Sequence, residues 1–323
     1  MKLKGRTILV LCLLLFGGFA LYDFQQDKKK EEKSMAEAQL MKLDFAKVDY
    51  VEIEKDGQKT ILQRSTDGWK VTAPIQDIAD NQVADDFVKN TFPERVIDVA
   101  KEGDAIDWAM YGLDKPLGMV TFRTSGGEQT TFEVSEKKNF EDASFVRRDK
   151  ENRVLVANSI WQARVKKTAV DFRDRHVLRH RIASVDTLKL KNSKGGLHLQ
   201  RVEGKWLEPS QKDLKLDQNK VREILTMIAD AQASEIIEGH HSKPKNLKIL
   251  YTLDLIMDGK TWTLEAGQGH DLVIFATVSD PTFVLRMEPG ALDKLITLTA
   301  NDLKEQPADS ALPKAAPEQK EQK

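Results

Sequence analysis

The chain has 323 residues, with 50 basic side chains against 51 acidic ones, and a mean hydropathy of −0.47. That length leaves room for two modest domains. The hydropathy excludes a polytopic membrane protein, the charge balance a strongly basic nucleic-acid binder, and the single cysteine a disulfide framework or a Cys-ligated zinc site.

Residues 7–22 form the most apolar stretch, preceded by Lys2, Lys4 and Arg6 and closed by Asp23. A basic start before a short apolar run describes a signal peptide or a signal anchor, and the positive flank predicts a cytoplasmic N-terminus with an exported remainder. As a helix this run reaches about 24 Å of a ~30 Å hydrocarbon core, which snorkelling Lys4 and Arg6 extend to a single span. Cleavage after Gly18-Phe19-Ala20 is the competing reading, although Leu21 and Tyr22 continue the apolar run. Cys12 lies inside the span, where a small residue is tolerated. Without residues 1–22 the body holds 47 basic and 51 acidic side chains and no thiol, which suits an oxidising compartment. Residues 23–43, rich in Lys and Glu, read as a charged stalk.

The body reads as a duplication. Residues 48–53 alternate as a half-buried strand, Asp56-Gly57 turns the chain, residues 59–64 return, and Trp69 follows. Shifted by 137 residues, the pattern recurs in 185–190, Lys194-Gly195-Gly196, 199–201 and Trp206. Leu62-Gln63-Arg64 matches Leu199-Gln200-Arg201, and Asp80 matches Asp217, each placed to cap a helix. Ala84, Phe87, Val88 and Thr91 then fall on Val221, Ile224, Leu225 and Ile228, one apolar helical face in each copy. Later hairpins over 119–134 and 251–266, strands over 143–156 and 272–287, and short helices over 158–167 and 290–298 complete the two halves. The expected fold is α+β: a tandem duplication of a mostly antiparallel sheet module with packed helices, preceded by one N-terminal transmembrane helix. Its parts are the anchor (1–22), the stalk (23–43), a first module (44–181), a second module (182–303) and a disordered tail (304–323).

Residues 108–116, Trp-Ala-Met-Tyr-Gly-Leu-Asp-Lys-Pro, follow the first helix. Together with Gly68-Trp69, the Asp80-capped helix and Phe172-Arg173-Asp174-Arg175, they resemble the bacterial domain of unknown function 4340 family. The resemblance implies one N-terminal span, an extracytoplasmic body and genes placed beside ABC transporters of the gliding-motility type; it implies no catalytic residue. Physically, Gly112 and Pro116 suit a loop that orients sheets, while Trp108 and Tyr111 could face a ligand.

Chemistry-bearing patterns are sparse. His176 and His180 have the spacing that puts two imidazoles on one helical face, but Arg173, Arg175, Arg179 and Arg181 surround them and oppose a dication. These arginines read instead as a basic junction between the halves, which could dock an acidic partner surface or headgroups or pair internally with Asp171 and Asp174. Asp85-Asp86 reads as a polar helix side, and the Gly-Gly pairs at 126–127 and 195–196 as hairpin turns. No nucleophile elbow, phosphate loop or metalloprotease motif occurs.

The expected function is therefore that of a non-enzymatic, single-pass inner-membrane protein with a periplasmic body. It would assist an ABC-type transport or gliding-motility-like complex, the alternative being a periplasmic module that binds envelope glycan, lipid or peptide at the inter-module junction. Trp108, Tyr111, Gly112, Asp114, Pro116, Arg173, Arg175, Arg179 and Arg181 form the expected partner or ligand surface. The expected partners are the inner membrane, through the N-terminal helix, and an ABC permease or other envelope protein. No nucleic acid, metal or cofactor is expected.

Overall fold

A computed structural model describes residues 38–305 apart from 212, 238–243 and 245. The expected anchor, most of the stalk and nearly all of the tail lie outside the described residues. Within them, no helix is long and apolar enough to cross a membrane.

The chain divides into two compact units, one ending at Asp174 and one beginning at Arg175. The division falls before residue 181 because the intervening residues are already tied to the second unit: Val177 N–H donates to Ala231 O at 2.9 Å, and Ala233 N–H to Arg175 O at 2.8 Å.

The first unit opens with a 3-10 turn, Phe45–Lys47, and the strands β1 (Val48–Lys55), β2 (Gln58–Ser65), β3 (Gly68–Ala73) and β4 (Asp77–Ile78). Helix α1 (Asn81–Lys89) follows, then β5 (Asp98–Glu102), β6 (Gly118–Thr124), β7 (Gln129–Lys138), β8 (Ser144–Arg148) and β9 (Arg153–Ala157). Two short helices, α2 (Ile160–Arg164) and α3 (Ala169–Phe172), end the unit. Its antiparallel sheet runs β4-β3-β2-β1-β6-β7-β8-β9-β5. Alternation in β6 buries Gly118, Val120, Phe122 and Thr124 in turn, the period-2 pattern of a strand packed on one face. Val120 and Phe122 meet Ala84 and Val88 of α1, Trp161 and Phe172 in one apolar core.

The second unit repeats the plan with β10 (Val185–Asn192), β11 (Leu197–Val202), β12 (Lys205–Leu207), α4 (Gln218–Asp230), β13 (Ala233–Ile237), β14 (Lys248–Met257), β15 (Lys260–Gln268), β16 (Ile274–Ser279) and β17 (Thr282–Met287). Its sheet order is β12-β11-β10-β14-β15-β16-β17-β13. Strand for strand this is the first sheet without β4, so the duplication extends to topology. In both units the helix links one edge of the sheet to the strand at the opposite edge.

Register agrees as well. Val51 pairs with Leu62, and Leu188 with Leu199, both 137 residues later. The ladder slips between Val48 and Tyr50 in one copy and between Val185 and Thr187 in the other. A bulge at the same place in both copies is a device of the module.

The late helices differ from expectation. Residues 158–167 hold only the five-residue α2, and 290–298 hold a 3-10 turn, Asp293–Ile296. Gly290 (φ +83°) and Leu292 (φ +62°) take left-handed backbone just before that turn, and a right-handed helix cannot run through them.

Candidate functional site

The nine residues expected to form a surface fall into different environments. Asp107 Oδ1 accepts from Ala109 N–H at 3.1 Å, starting a tight turn that Leu113 N–H closes on Trp108 O at 2.9 Å. Lys137 Nζ donates to Ala109 O at 2.8 Å. Trp108 lies under the Arg147 guanidinium at 3.8 Å, and Tyr111 meets Phe145 edge-on at 5.2 Å. Gly112 has φ +66°, and an added Cβ would stand 2.6 Å from Ser135 Oγ, so the position requires glycine. Pro116 is half-buried and Asp114 exposed. The aromatics of this turn thus brace it against β8, while Lys137 ties it to β7.

Arg173 is no surface residue. It is 6% exposed, and its Nε donates to Asp77 Oδ2 at 2.7 Å, with Asp77 only 7% exposed. Arg175 Nη1 reaches Ser234 O at 3.4 Å, Arg179 covers the Phe283 ring at 4.8 Å, and exposed Arg181 precedes the 3-10 turn Ile182–Ser184. His176 and His180 do not share a helical face, because this segment is extended: His176 bridges to Gln232, and His180 Nε2 lies 3.4 Å from Asp280 Oδ2. Among the described residues, no group of three or more His, Cys, Asp or Glu could hold a metal ion.

Both units close on a device that the 137-residue shift does not reveal. At the end of the first, Asp171 Oδ2 accepts from the Thr168 amide (2.8 Å) and hydroxyl (3.0 Å). At the end of the second, Asp302 Oδ2 accepts from the Thr299 amide and hydroxyl, both at 2.8 Å. Each capping box aims a carbonyl at the helix cap: Phe172 O accepts from Asp80 N–H, and Leu303 O from Asp217 N–H, both at 2.8 Å. Asp80 in turn caps Gln82 and Val83, and Asp217 caps Asn219 and Lys220. Thr168 and Thr299 are 131 residues apart, since loops within the second copy are shorter.

These carboxylates link stability to acid. Burial pushes Asp171 upward, but its bonds from Thr168 and Lys167 outweigh that and hold it below the ordinary carboxylate range. Asp302 is held low by the Thr299 hydroxyl, then by the Thr299 amide. A carboxylate depressed on folding stabilises fully above its unfolded pKa, about 4, and loses that contribution as pH falls through the folded value. Asp171→Asn and Asp302→Asn should therefore lower the urea midpoint at pH 7 and flatten its fall below about pH 4. A slope identical to wild type in both variants would refute the linkage.

The most distinctive duplicated surface is a groove between the returning hairpin and the helix. In the first unit it holds about 420 Å³, lined by Phe45, Arg64, Asp85, Asp86, Val88 and Lys89 among others. In the second it holds about 540 Å³, with Ile182, Arg201, Lys205, Trp206, Arg222 and Leu225 along it. Phe45 and Ile182, Arg64 and Arg201, Asp85 and Arg222, and Val88 and Leu225 are pairs separated by 137 residues. In each copy the first helical side chain fixes the tryptophan backbone: Asn81 Oδ1 accepts from Trp69 N–H at 2.7 Å, and Gln218 Oε1 from Trp206 N–H at 2.8 Å. Gln218 Nε2 also donates to Trp206 O at 3.0 Å. A cleft of about 610 Å³ in the first unit carries lysines in ion pairs: Lys55 with Asp56, Lys59 with Glu52 and Glu54, and Lys167 with Asp171.

A family model described as domain of unknown function (DUF4340) matches residues 93–249. Over that segment the chain is similar to the DUF4340 family. No curated protein and no solved structure matches it. The DUF4340 match begins after α1, takes in the 108–116 turn and residues 172–175, crosses the boundary between the units and stops at the start of β14. Gly68-Trp69 and the Asp80 cap lie before it. The matched segment therefore carries β5–β9 of one unit and β10–β13 of the next, and it contains the second groove but not the first.

Proposed function

We propose that this protein is a membrane-anchored, extracytoplasmic accessory protein of an ABC-type transport or gliding-motility-like assembly, and that it acts by docking rather than catalysis. The observation that carries the docking role is the duplicated groove, rigidly framed in both units and lined in the second by three cations and an aromatic ring. Anchoring is supported by the basic, apolar run of residues 1–22 and by a body free of thiol. The transporter as partner class rests on what the family resemblance implies. An anchor would hold the body beside a membrane complex and raise its effective concentration without a large interface.

Purification of the full chain in mild detergent tests this reading. An ABC permease or its ATPase should accompany it, and recovery of no membrane partner with residues 1–22 intact would count decisively against it. A reporter active only in the periplasm, fused after residue 303, should be active; an inactive one would overturn the topology.

The second groove also favours the alternative of a ligand-binding module, with peptide the best-supported ligand because the groove combines cations with apolar side chains.

A further inference from the structure

The first groove already contains the group it is built to receive. Asp85 Oδ1 accepts from Trp69 Nε1 at 2.8 Å and is bonded to the Arg64 guanidinium, which itself lies over the Trp69 ring at 5.0 Å. An indole N–H and a guanidinium converging on one oxygen make a receptor for a carboxylate. Trp69, capped in this way, is only 2% exposed. The two cations and two carboxylates along this groove balance.

In the second unit both residue types of the receptor recur and the helix carboxylate is gone. Arg201 and Trp206 occupy the equivalent positions, but Asp85 is replaced by Arg222. Trp206 lines the open groove, and no described group accepts from its indole N–H. Arg222 donates within its own helix, from Nη1 to Asn219 Oδ1 at 3.0 Å. Asp186 reaches Arg201 at 2.8 Å from β10, outside the groove lining. Arg201, Lys205 and Arg222 line the groove with no carboxylate among them, beside the apolar Ile182, Ala183 and Leu225.

We propose that the second groove binds an Asp or Glu side chain on an acidic peptide segment of a partner protein, placing its carboxylate where Asp85 sits in the first unit. The apolar wall favours a peptide over a small free anion, since an inorganic ion would leave Ile182, Ala183 and Leu225 uncovered. Gln218 holds Trp206 from both backbone sides, so the site is organised before its ligand arrives. This inference rests on the docking role and names the chemistry of the docked group.

The test uses the full chain in detergent and a fluorescent blocked peptide, Gly-Leu-Asp-Glu-Leu-Gly, followed by anisotropy. The peptide should bind wild type, while the Asn-Gln version of the same peptide should not. Arg222→Asp, which rebuilds the first unit's arrangement at an exposed helical site, should weaken binding about tenfold or more, and Trp206→Phe should weaken it by removing the donor. Thermal unfolding shows whether each variant is folded; Arg222→Ala provides a milder variant with the same expected direction. Wild-type affinity in both Arg222→Asp and Arg222→Ala, no binding by wild type, or displacement by sulfate as readily as by unlabelled peptide would overturn the proposal. Failure of the titration while a membrane partner still co-purifies would remove this groove assignment alone. Peptide binding without any co-purifying transporter would remove the assembly role alone.

Discussion

Trp161→Ala should destabilise the first unit by about 3–5 kcal/mol, the usual consequence of emptying a large aromatic site in a packed core. Trp161 is 0% exposed, stands 4.6 Å from the Phe132 ring and lies beneath the Arg164 guanidinium at 4.9 Å. Arg164 is itself buried; burial lowers its pKa against the pull of Glu94, while its Nη2 donates to Asn90 O at 2.7 Å and Glu94 Oε1 at 3.2 Å. Loss of the indole therefore also removes the surface on which a buried cation rests. Trp161→Phe should cost much less, because the indole N–H donates to no described group and phenylalanine gives up no hydrogen bond there. Guanidinium denaturation gives the size of both effects, and amide exchange in β7 localises them. If phenylalanine proved as damaging as alanine, the N–H would be contributing a bond and this account would be wrong.

Asp77→Ala should cost a comparable ~3–5 kcal/mol, because it removes the carboxylate to which the buried Arg173 guanidinium donates. The pair sits where the end of the unit folds back: Ala79 bridges to Arg173, and Asp174 N–H donates to Ile78 O at 3.1 Å. The second unit makes the same closure, with Leu216 bridged to Lys304 and Glu305 N–H donating to Lys215 O at 3.0 Å. There, however, Leu214 stands at the position of Asp77 and exposed Lys304 at that of Arg173. The second unit thus shows that the closure does not need a buried ion pair. Asp77→Leu alone should be strongly destabilising, whereas Asp77→Leu with Arg173→Met, which removes the buried cation too, should recover most of the loss. Equal unfolding midpoints for the single and double variants would rule this out.

The strands legible beforehand were those with a local signal. Residues 48–53 and 59–64 alternate around Asp56-Gly57, and 185–190 and 199–201 repeat them, so β1, β2, β10 and β11 follow from period and turn chemistry alone. Asp80 and Asp217 were legible for the same reason: an N-cap acts on amides two and three residues away. By contrast β5 (Asp98–Glu102) lies at a sheet edge and is half-buried or exposed throughout, so its side chains carry no alternation to read. Its partner, β9, lies about 55 residues downstream in the chain, and only that pairing makes it a strand.

Legibility of the sites followed the same division. The turn at 108–116 was recognisable as a motif, yet its aromatics point to Arg147 and Phe145, side chains that sequence spacing does not bring near. Arg173 read as part of a basic junction with Asp171 or Asp174 as its internal partner; that Asp77 is the partner is a long-range fact. Asp85 read as one of a pair of helix-surface carboxylates; only the structure shows it bonded to Trp69 and Arg64.

By itself, then, the sequence determined the repeat, the caps and the hairpins, since periodicity, turns and capping act over a few residues. Tertiary structure alone decided which strand closes each sheet, that the repeat runs on to Thr168-Asp171 and Thr299-Asp302 at a changed spacing, and that one groove is filled where its copy is open. Those are contacts between residues far apart in the chain, and loops of unequal length shift them out of any fixed offset. At the grooves a single exchange, Asp85 for Arg222, reverses the local charge; its meaning exists only where helix, tryptophan and returning strand meet.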